Sequence, residues 1–278
     1  MAKKPKKKRE NKSRPAKTAD QLLNEAKNNH RKDLKDKLQA IYESVDMSTV
    51  GCEIAICGCA CCKVAMPQMN YSEFVQLATD LWSKANKDKK IDVICKSIEY
   101  FFRNEYEKWG MDSLVKPCQF VGKYGLCTVY ENRPLSCRAY GLWPEEEYEQ
   151  RVDRFEEAYS EHGLTRDDLP LSKQCKMIRR ADGSTELTME ELDSLFDQLD
   201  ALDKKVGDFS NLQIKSKENY RTFHDWLLLK VFGEEWLTML TTFMMAATRE
   251  QMEDQVVQLR KVVETTLDLD RDKIEDKF

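Results

Sequence analysis

The sequence is poor in the features that announce most common functions. Its longest apolar stretch, WLLLKVFGEEWLTMLTTFMMAA from Trp226 to Ala247, is broken by Lys230, Glu234 and Glu235. It falls short of the roughly 18 uninterrupted apolar residues that suggest a membrane span, so a buried helix pair is expected there and no membrane association. No apolar run follows the charged amino terminus, so the reading includes no secretory signal. Only ten glycines occur and none forms a G-x-G-x-x-G turn, which leaves no dinucleotide or Rossmann-type methyl-donor site in view. Histidine is scarcer still: His30, His162 and His224 are the whole supply, all far from the cysteine-rich segments. No Ser-His-Asp or Cys-His arrangement can be defended from them, nor is there a C-x-x-x-C-x-x-C radical motif, so no catalytic residue is assigned.

What is abundant is cysteine. Ten are present, five of them within the eleven residues Cys52 to Cys62: Cys52, Cys57, Cys59, Cys61 and Cys62, in GCEIAICGCACCK. Buried thiols that merely fill a core are spread at helical or strand intervals rather than crowded into one loop. A second stretch, KPCQFVGKYGLCTVYENRPLSCRAYGLW, supplies Cys118, Cys127 and Cys137 among Pro117, Gly122, Gly125, Pro134 and Gly141. With no secretory signal and a chain long enough to bury its own core, reduced thiols in the cytoplasm are expected, and clustered thiols there serve metals or catalysis more often than disulfides.

Thiolates suit zinc, copper(I) and iron–sulfur clusters. Zinc ribbons and knuckles draw their ligands in pairs two to four residues apart, whereas Cys118, Cys127 and Cys137 are separated by eight and nine residues and enter singly. Iron–sulfur clusters accept more varied spacing. Neighbouring side chains also point in different directions, so Cys61 and Cys62 are expected to reach different corners of a cluster or different metals. The favoured cofactor is therefore an iron–sulfur cluster of the 4Fe-4S kind, with zinc as the alternative. Cys175, alone in LSKQCKMIRR, is a candidate late ligand. Cys95 shares a helical stripe with Ile91, Ile94, Ile98, Phe101 and Phe102 and is expected in the core.

Around these loops the periodicity is helical throughout. Helices are expected over Asp20 to Val45, from Asn70 and Ser72 through Trp82, over Ile91 to Trp109, and from Pro144 as a first-turn residue to Gly163. A short extended piece is expected over Leu126 to Tyr130. Thr188 with Glu191, and Thr248 with Gln251, form capping-box patterns ahead of further helices. Met239, Phe243, Met244 and Met245 read as helical core. The fold class is mainly α, with helices around an irregular, loop-rich cysteine metal-binding core and a helical C-terminal region. Three parts are expected: a disordered basic tail 1–17, a cysteine-cluster domain 18–180, and the helical region 181–278. The tail holds nine Lys or Arg against Glu10, a net +8, so the rest of the chain carries −12 to reach −4 overall. It reads as a solubilising tail, or as an arm for nucleic acid or an acidic surface.

The CC-ending cysteine run, followed by a single cysteine and then GLCTVYENRPLSCRAY, resembles the YkgJ-type cysteine-cluster family of zinc- or iron-chelating proteins. The resemblance implies Cys52, Cys57, Cys61, Cys62, Cys118, Cys127 and Cys137 as ligands, with Tyr130, Arg133, Pro134, Arg138 and Tyr140 beside them. Cys59 is an extra cysteine against the family pattern, so Cys57 and Cys59 both stand as candidates for the position ahead of the vicinal pair. Arg133 and Arg138 are assigned to the bound cofactor, donating to sulfur and offsetting its negative charge, with recognition of an anion as the rival role. The expected function is metal chelation with a structural or electron-transfer role and an unidentified redox or protein partner. Two alternatives are an S-adenosylmethionine-dependent lysine methylase, through the likeness to flagellin lysine methylases, and a zinc-stapled interaction module whose tail binds nucleic acid.

Overall fold

In the computed structural model, the described residues are 32–44, 61–62, 66–109, 118–122, 127–160, 163, 165–169, 175, 178–180, 182–206 and 220–269. The basic tail, Cys52, Cys57, Cys59 and the first part of the expected Asp20–Val45 helix lie outside them. Helix α1 spans 32–43 and buries Leu34, Leu38 and Ile41, the apolar stripe expected of it. Next come β1 (Gln68–Met69), α2 (Tyr71–Lys84), α3 (Lys87–Trp109), a 3-10 turn at Tyr130–Asn132, the one-turn helix α4 (Leu135–Arg138) and α5 (Glu145–Ser160). A 3-10 turn at Arg166–Asp168 leads to α6 (Met189–Val206), β2 (Arg221–Thr222), α7 (Phe223–Phe232), α8 (Glu234–Ala246) and α9 (Arg249–Leu269). The fold is mainly α, with one two-residue antiparallel ladder pairing Gln68 with Thr222 and Met69 with Arg221 among the described residues. Among those residues, no helix is long and apolar enough to cross a membrane.

Local signals set most helix starts. Thr188 and Glu191 exchange their capping-box bonds, 2.8 Å and 3.1 Å, and Thr248 and Gln251 do the same at 2.8 Å and 3.3 Å. Helix α3 begins four residues before the expected Ile91, because the Asn86 side chain accepts the Lys89 N–H at 3.0 Å and satisfies a free donor of the first turn. Pro144 sits one place earlier than expected: its carbonyl accepts the Tyr148 N–H at 3.0 Å, which makes it the cap and Glu145 the first helical residue. Of the extended piece expected at Leu126–Tyr130, Leu126 lies outside the described residues, and 127–130 show one bridge from Cys127 to Val121 followed by a turn. Gly233, at φ 91°, breaks the apolar 226–247 stretch into α7 and α8. Helix α7 is buried along most of its length, while Met239 on α8 is 59% exposed, so the expected core role does not extend to it.

Two apolar cores result. One joins α2, α3, α7, α8 and α9, with Phe74, Ile94, Ile98, Phe223 and Trp226 almost wholly buried and Cys118 and Phe120 packed at its edge. Cys95 lies inside it, 2% exposed, on the side of α3 that runs along α9. The other joins α1, α4 and α6 through Leu38, Leu135, Leu142, Leu195 and Leu199. Both cores draw residues from either side of residue 180.

The two cores meet at the start of α2, where buried carboxylates take up the free N–H groups of helix ends. From α6, Asp203 accepts the Tyr71 N–H at 3.1 Å and the Ser72 N–H at 2.8 Å. Within α2, Glu73 accepts the Asn70 N–H at 3.0 Å, the Tyr42 hydroxyl of α1 at 2.6 Å and the Leu135 N–H of α4 at 2.6 Å. Burial pushes the Glu73 carboxyl up to about 7, against an opposing pull from Tyr42 and the two N–H donors, and nearby Asp203 adds to the rise. A carboxyl raised in the folded state binds its proton more tightly there than in the unfolded chain. Its contribution to stability is full below about 4.5 and is lost as pH rises through about 7. Urea unfolding at pH 5 and pH 8 should therefore show Glu73→Gln losing less stability with rising pH than the unaltered protein. The difference in slope should total about 2–3 kcal/mol over that window.

Candidate metal centre

Hydrogen bonds through backbone groups and through the Ser136 and Glu73 side chains draw the cysteine-bearing segments together. Cys61 and Cys62 lie in helical backbone shortly before β1, and the Cys62 carbonyl accepts the Cys118 N–H at 2.6 Å. Cys118 and Cys127 are linked through described residues: Val121 N donates to Cys118 O at 3.1 Å, Thr128 N donates to Phe120 O at 2.9 Å, and Val121 is bridged to Cys127. Cys137 is the third residue of α4, a helix of one turn that cannot hold its own geometry. It is pinned from outside: Leu135 is fully buried, Ser136 Oγ donates to the Gln68 carbonyl at 2.6 Å, and Leu135 N donates to Glu73.

Five thiols, Cys61, Cys62, Cys118, Cys127 and Cys137, act on one another electrostatically. Burial raises the Cys137 thiol well above its ordinary value, Cys118 raises it further, Arg133 opposes, and Cys61 and Cys127 add smaller increments. The Cys61 and Cys62 sulfurs are 3.9 Å apart. Donation from Cys62 pushes Cys61 down to about 7, and that same bond, with burial and the charges of Cys61, Cys137 and Cys118, pushes Cys62 up. Arg133 is 8% exposed, its Nε donates to the Tyr130 carbonyl at 3.2 Å, and its guanidinium lies 3.8 Å from the Tyr130 ring centre. Its charge reaches both Cys61 and Cys137. Arg138 is engaged differently, donating to the Arg133 and Glu131 carbonyls at 2.8 Å each and lying 4.4 Å from the Tyr42 ring centre. It braces the loop between Cys127 and Cys137.

Cys175 comes in from outside this group. Gly141, at φ 98°, lets the chain after α4 run against the Cys175 backbone: a Cβ there would stand 2.6 Å from Cys175 O and 2.9 Å from Cys175 Cβ. Tyr140 is in electrostatic reach of both Cys175 and Cys61: its hydroxyl is raised by burial first, then by Tyr148, and then by these thiols.

The donor set is sulfur alone, which suits zinc and iron and disfavours magnesium or calcium. Two thiolates on one tetrahedral ion with Zn–S bonds of about 2.3 Å stand about 3.8 Å apart, close to the 3.9 Å of the vicinal pair. Among the described residues no group of three or more His, Cys, Asp or Glu side chains is arranged to hold an ion by itself. Cys52, Cys57 and Cys59 lie outside those residues. Residues 51–158 match the family model CxxCxxCC, a "Putative zinc- or iron-chelating domain". The match covers well under half of the chain and makes this segment similar to that family. It contains every candidate cysteine ligand except Cys175, in keeping with the resemblance carried by GLCTVYENRPLSCRAY. No curated protein and no solved structure matches the chain.

Glu73, Tyr42 and Ser136, which hold the Cys137 helix in place, do not stand out in the sequence as part of the site. Asn70-x-x-Glu73 does read as a capping pattern, but nothing local shows that the same carboxylate reaches residue 135. The close approach at Gly141 has a direct consequence. Gly141→Ala combines an unfavourable left-handed conformation with a clash against backbone, and should lower stability by about 1–3 kcal/mol in thermal or urea unfolding. Gly183→Ala, where φ is 87° but nothing lies within 4 Å, should cost less.

Proposed function

We propose that this protein is a thiolate metal-binding protein whose vicinal pair Cys61 and Cys62, with Cys118, Cys127 and Cys137, holds an iron–sulfur centre. Cys52 and Cys57 or Cys59 supply the remaining donors, Cys175 is the late ligand, and Arg133 offsets the thiolate charge. The observation that supports the reading is the mutual influence of five thiols, two of which, Cys61 and Cys137, also feel the buried Arg133. Nine candidate sulfurs exceed what one tetrahedral ion needs, which favours a multinuclear centre. When bound, such a group supplies one-electron transfer, at a potential set by burial and by hydrogen bonds to sulfur. The protein's own part is to keep the sulfurs close, shield them from solvent and balance their charge. The redox partner is a protein, and a reducing compartment, the cytoplasm, suits the free thiols.

A zinc centre is the second reading, favoured by one observation: the 3.9 Å separation of Cys61 and Cys62 suits two ligands on a single tetrahedral ion. There the metal would staple the loops. Anaerobic purification with iron, zinc and acid-labile sulfide analysis separates the two, since iron with sulfide supports the cluster and stoichiometric zinc without sulfide supports the staple. Replacing Cys61, Cys62, Cys118, Cys127 or Cys137 by Ser should sharply reduce metal content, because a hydroxyl is a poor substitute for a soft thiolate. Cys95→Ser, in the core beside α9, should keep the metal. Retention of metal by Cys127→Ser and Cys137→Ser, with loss in Cys95→Ser, would refute the assignment.

Both cores are built from apolar side chains on long helices. Chelation should therefore leave most of the far-ultraviolet circular dichroism in place. A collapse of helicity on chelation would instead make metal binding and folding a single transition.

A further inference from the structure

Glu73 lies outside every cysteine motif, yet it connects the two arms of the metal centre. It is 4% exposed and no cation pairs with it among the described residues; its three bonds come from the neutral Tyr42 hydroxyl and the Asn70 and Leu135 N–H groups. A carboxylate kept in such surroundings has a structural cost, and its bonds divide into two functions. Oε2 accepts the Asn70 N–H and completes the capping box at the start of α2, a local task. Oε1 accepts the Tyr42 hydroxyl and the Leu135 N–H, 62 residues away in sequence, at the first residue of the helix that carries Cys137.

That second bond bears on the metal centre for a mechanical reason. Helix α4 has four residues, so its position is set by what holds it from outside. Its holds run to the segment that follows the vicinal pair: Ser136 Oγ to Gln68 O of β1, and Leu135 N to Glu73 of α2. Cys62 precedes β1 by six residues and Cys137 follows Leu135 by two. The Glu73–Leu135 bond therefore helps set the separation between the Cys61–Cys62 arm and Cys137. We infer that Glu73 is a positioning residue of the metal centre, holding the Cys137 helix at coordinating distance from the vicinal pair, apart from its role as a helix cap. The inference rests on the metal-binding reading above.

The two roles can be separated by substitution. Glu73→Asp keeps an acceptor for the cap, as Asp168 and Asp225 do at the same position of their own capping boxes, with Thr165 N and Thr222 N donating at 2.9 Å and 3.3 Å. One methylene shorter, it cannot also reach Leu135. Glu73→Gln does the reverse. Two donors face Oε1 and one faces Oε2, so the amide oxygen takes the Oε1 place, keeping Tyr42 and Leu135 and losing the cap bond. Asp203→Asn weakens the same helix start from α6 and reports what general loss of stability does to the metal centre.

The test is cobalt(II) titration of the reduced, full-length apoprotein, followed by thiolate-to-cobalt absorption and by chelator competition. Glu73→Asp should bind cobalt about 10–100-fold more weakly, the range seen when outer-shell partners of metal ligands are lost, with an altered absorption band. Glu73→Gln and Asp203→Asn should stay within about threefold of the unaltered protein and keep its band. Cobalt binding by Glu73→Asp equal to that of the unaltered protein would overturn the inference, as would an equal loss in Glu73→Gln or in Asp203→Asn. Failure of the unaltered protein to bind cobalt through its thiolates would remove the metal-binding reading itself, a result distinct from the other three.

Discussion

A buried carboxylate without a cation is the joint on which this structure turns. Helix ends expose N–H groups that the helix itself cannot satisfy, and burying them unpaired costs about 1–3 kcal/mol each. Here Glu73 and Asp203 take up such groups at the start of α2 and, through Glu73, at the start of α4. The same atoms draw α1 in through Tyr42 and α6 in through Asp203. Desolvation of the two carboxyls opposes the arrangement, which is why both titrate above their ordinary values. The Asn70, Tyr71, Ser72 and Leu135 N–H groups and the Tyr42 hydroxyl all find acceptors in these two carboxyls.

The thiol group depends on that joint rather than creating it. Each cysteine segment is too short or too irregular to define its own place: a one-turn helix, two short stretches joined by one bridge, and two residues of helical backbone. They are assembled by hydrogen bonds that cross between segments, from Cys118 to Cys62 and from Ser136 to Gln68, against a helical frame that already has its own apolar cores. Sulfur ligands gathered on a preformed frame can be tuned by their surroundings. Arg133, held over the Tyr130 ring and by the Tyr130 carbonyl, presents its positive charge to Cys61 and Cys137, while Arg138 is taken up by loop carbonyls and the Tyr42 ring.

The helical frame was legible wherever its cause is local. The stripe Leu34, Leu38 and Ile41, the stripe around Cys95, and the caps at Thr188 and Thr248 all act within a few residues and appear in the structure as read. Helix boundaries shifted where a cap went unrecognised, as with Asn86 ahead of α3, or where proline served as the cap and not the first helical residue, as with Pro144. The small ladder between Gln68–Met69 and Arg221–Thr222 could not be read, because two-residue strands carry no periodicity.

Of the candidate site, the sequence by itself determined the chemistry: a surplus of thiols, a shortage of histidine, and a loop motif from Cys127 to Tyr140 within a segment similar to a chelating family. Residue type decides that, since softness belongs to the sulfur atom wherever it is placed. Tertiary structure alone decided which parts of the chain approach one another. It placed Cys62 on Cys118, set Cys175 against Gly141, separated Cys95 toward α9, and gave Glu73 a partner in another helix. These contacts join residues tens of positions apart through single backbone groups, and every residue carries such groups alike, so no local pattern distinguishes the ones that will meet.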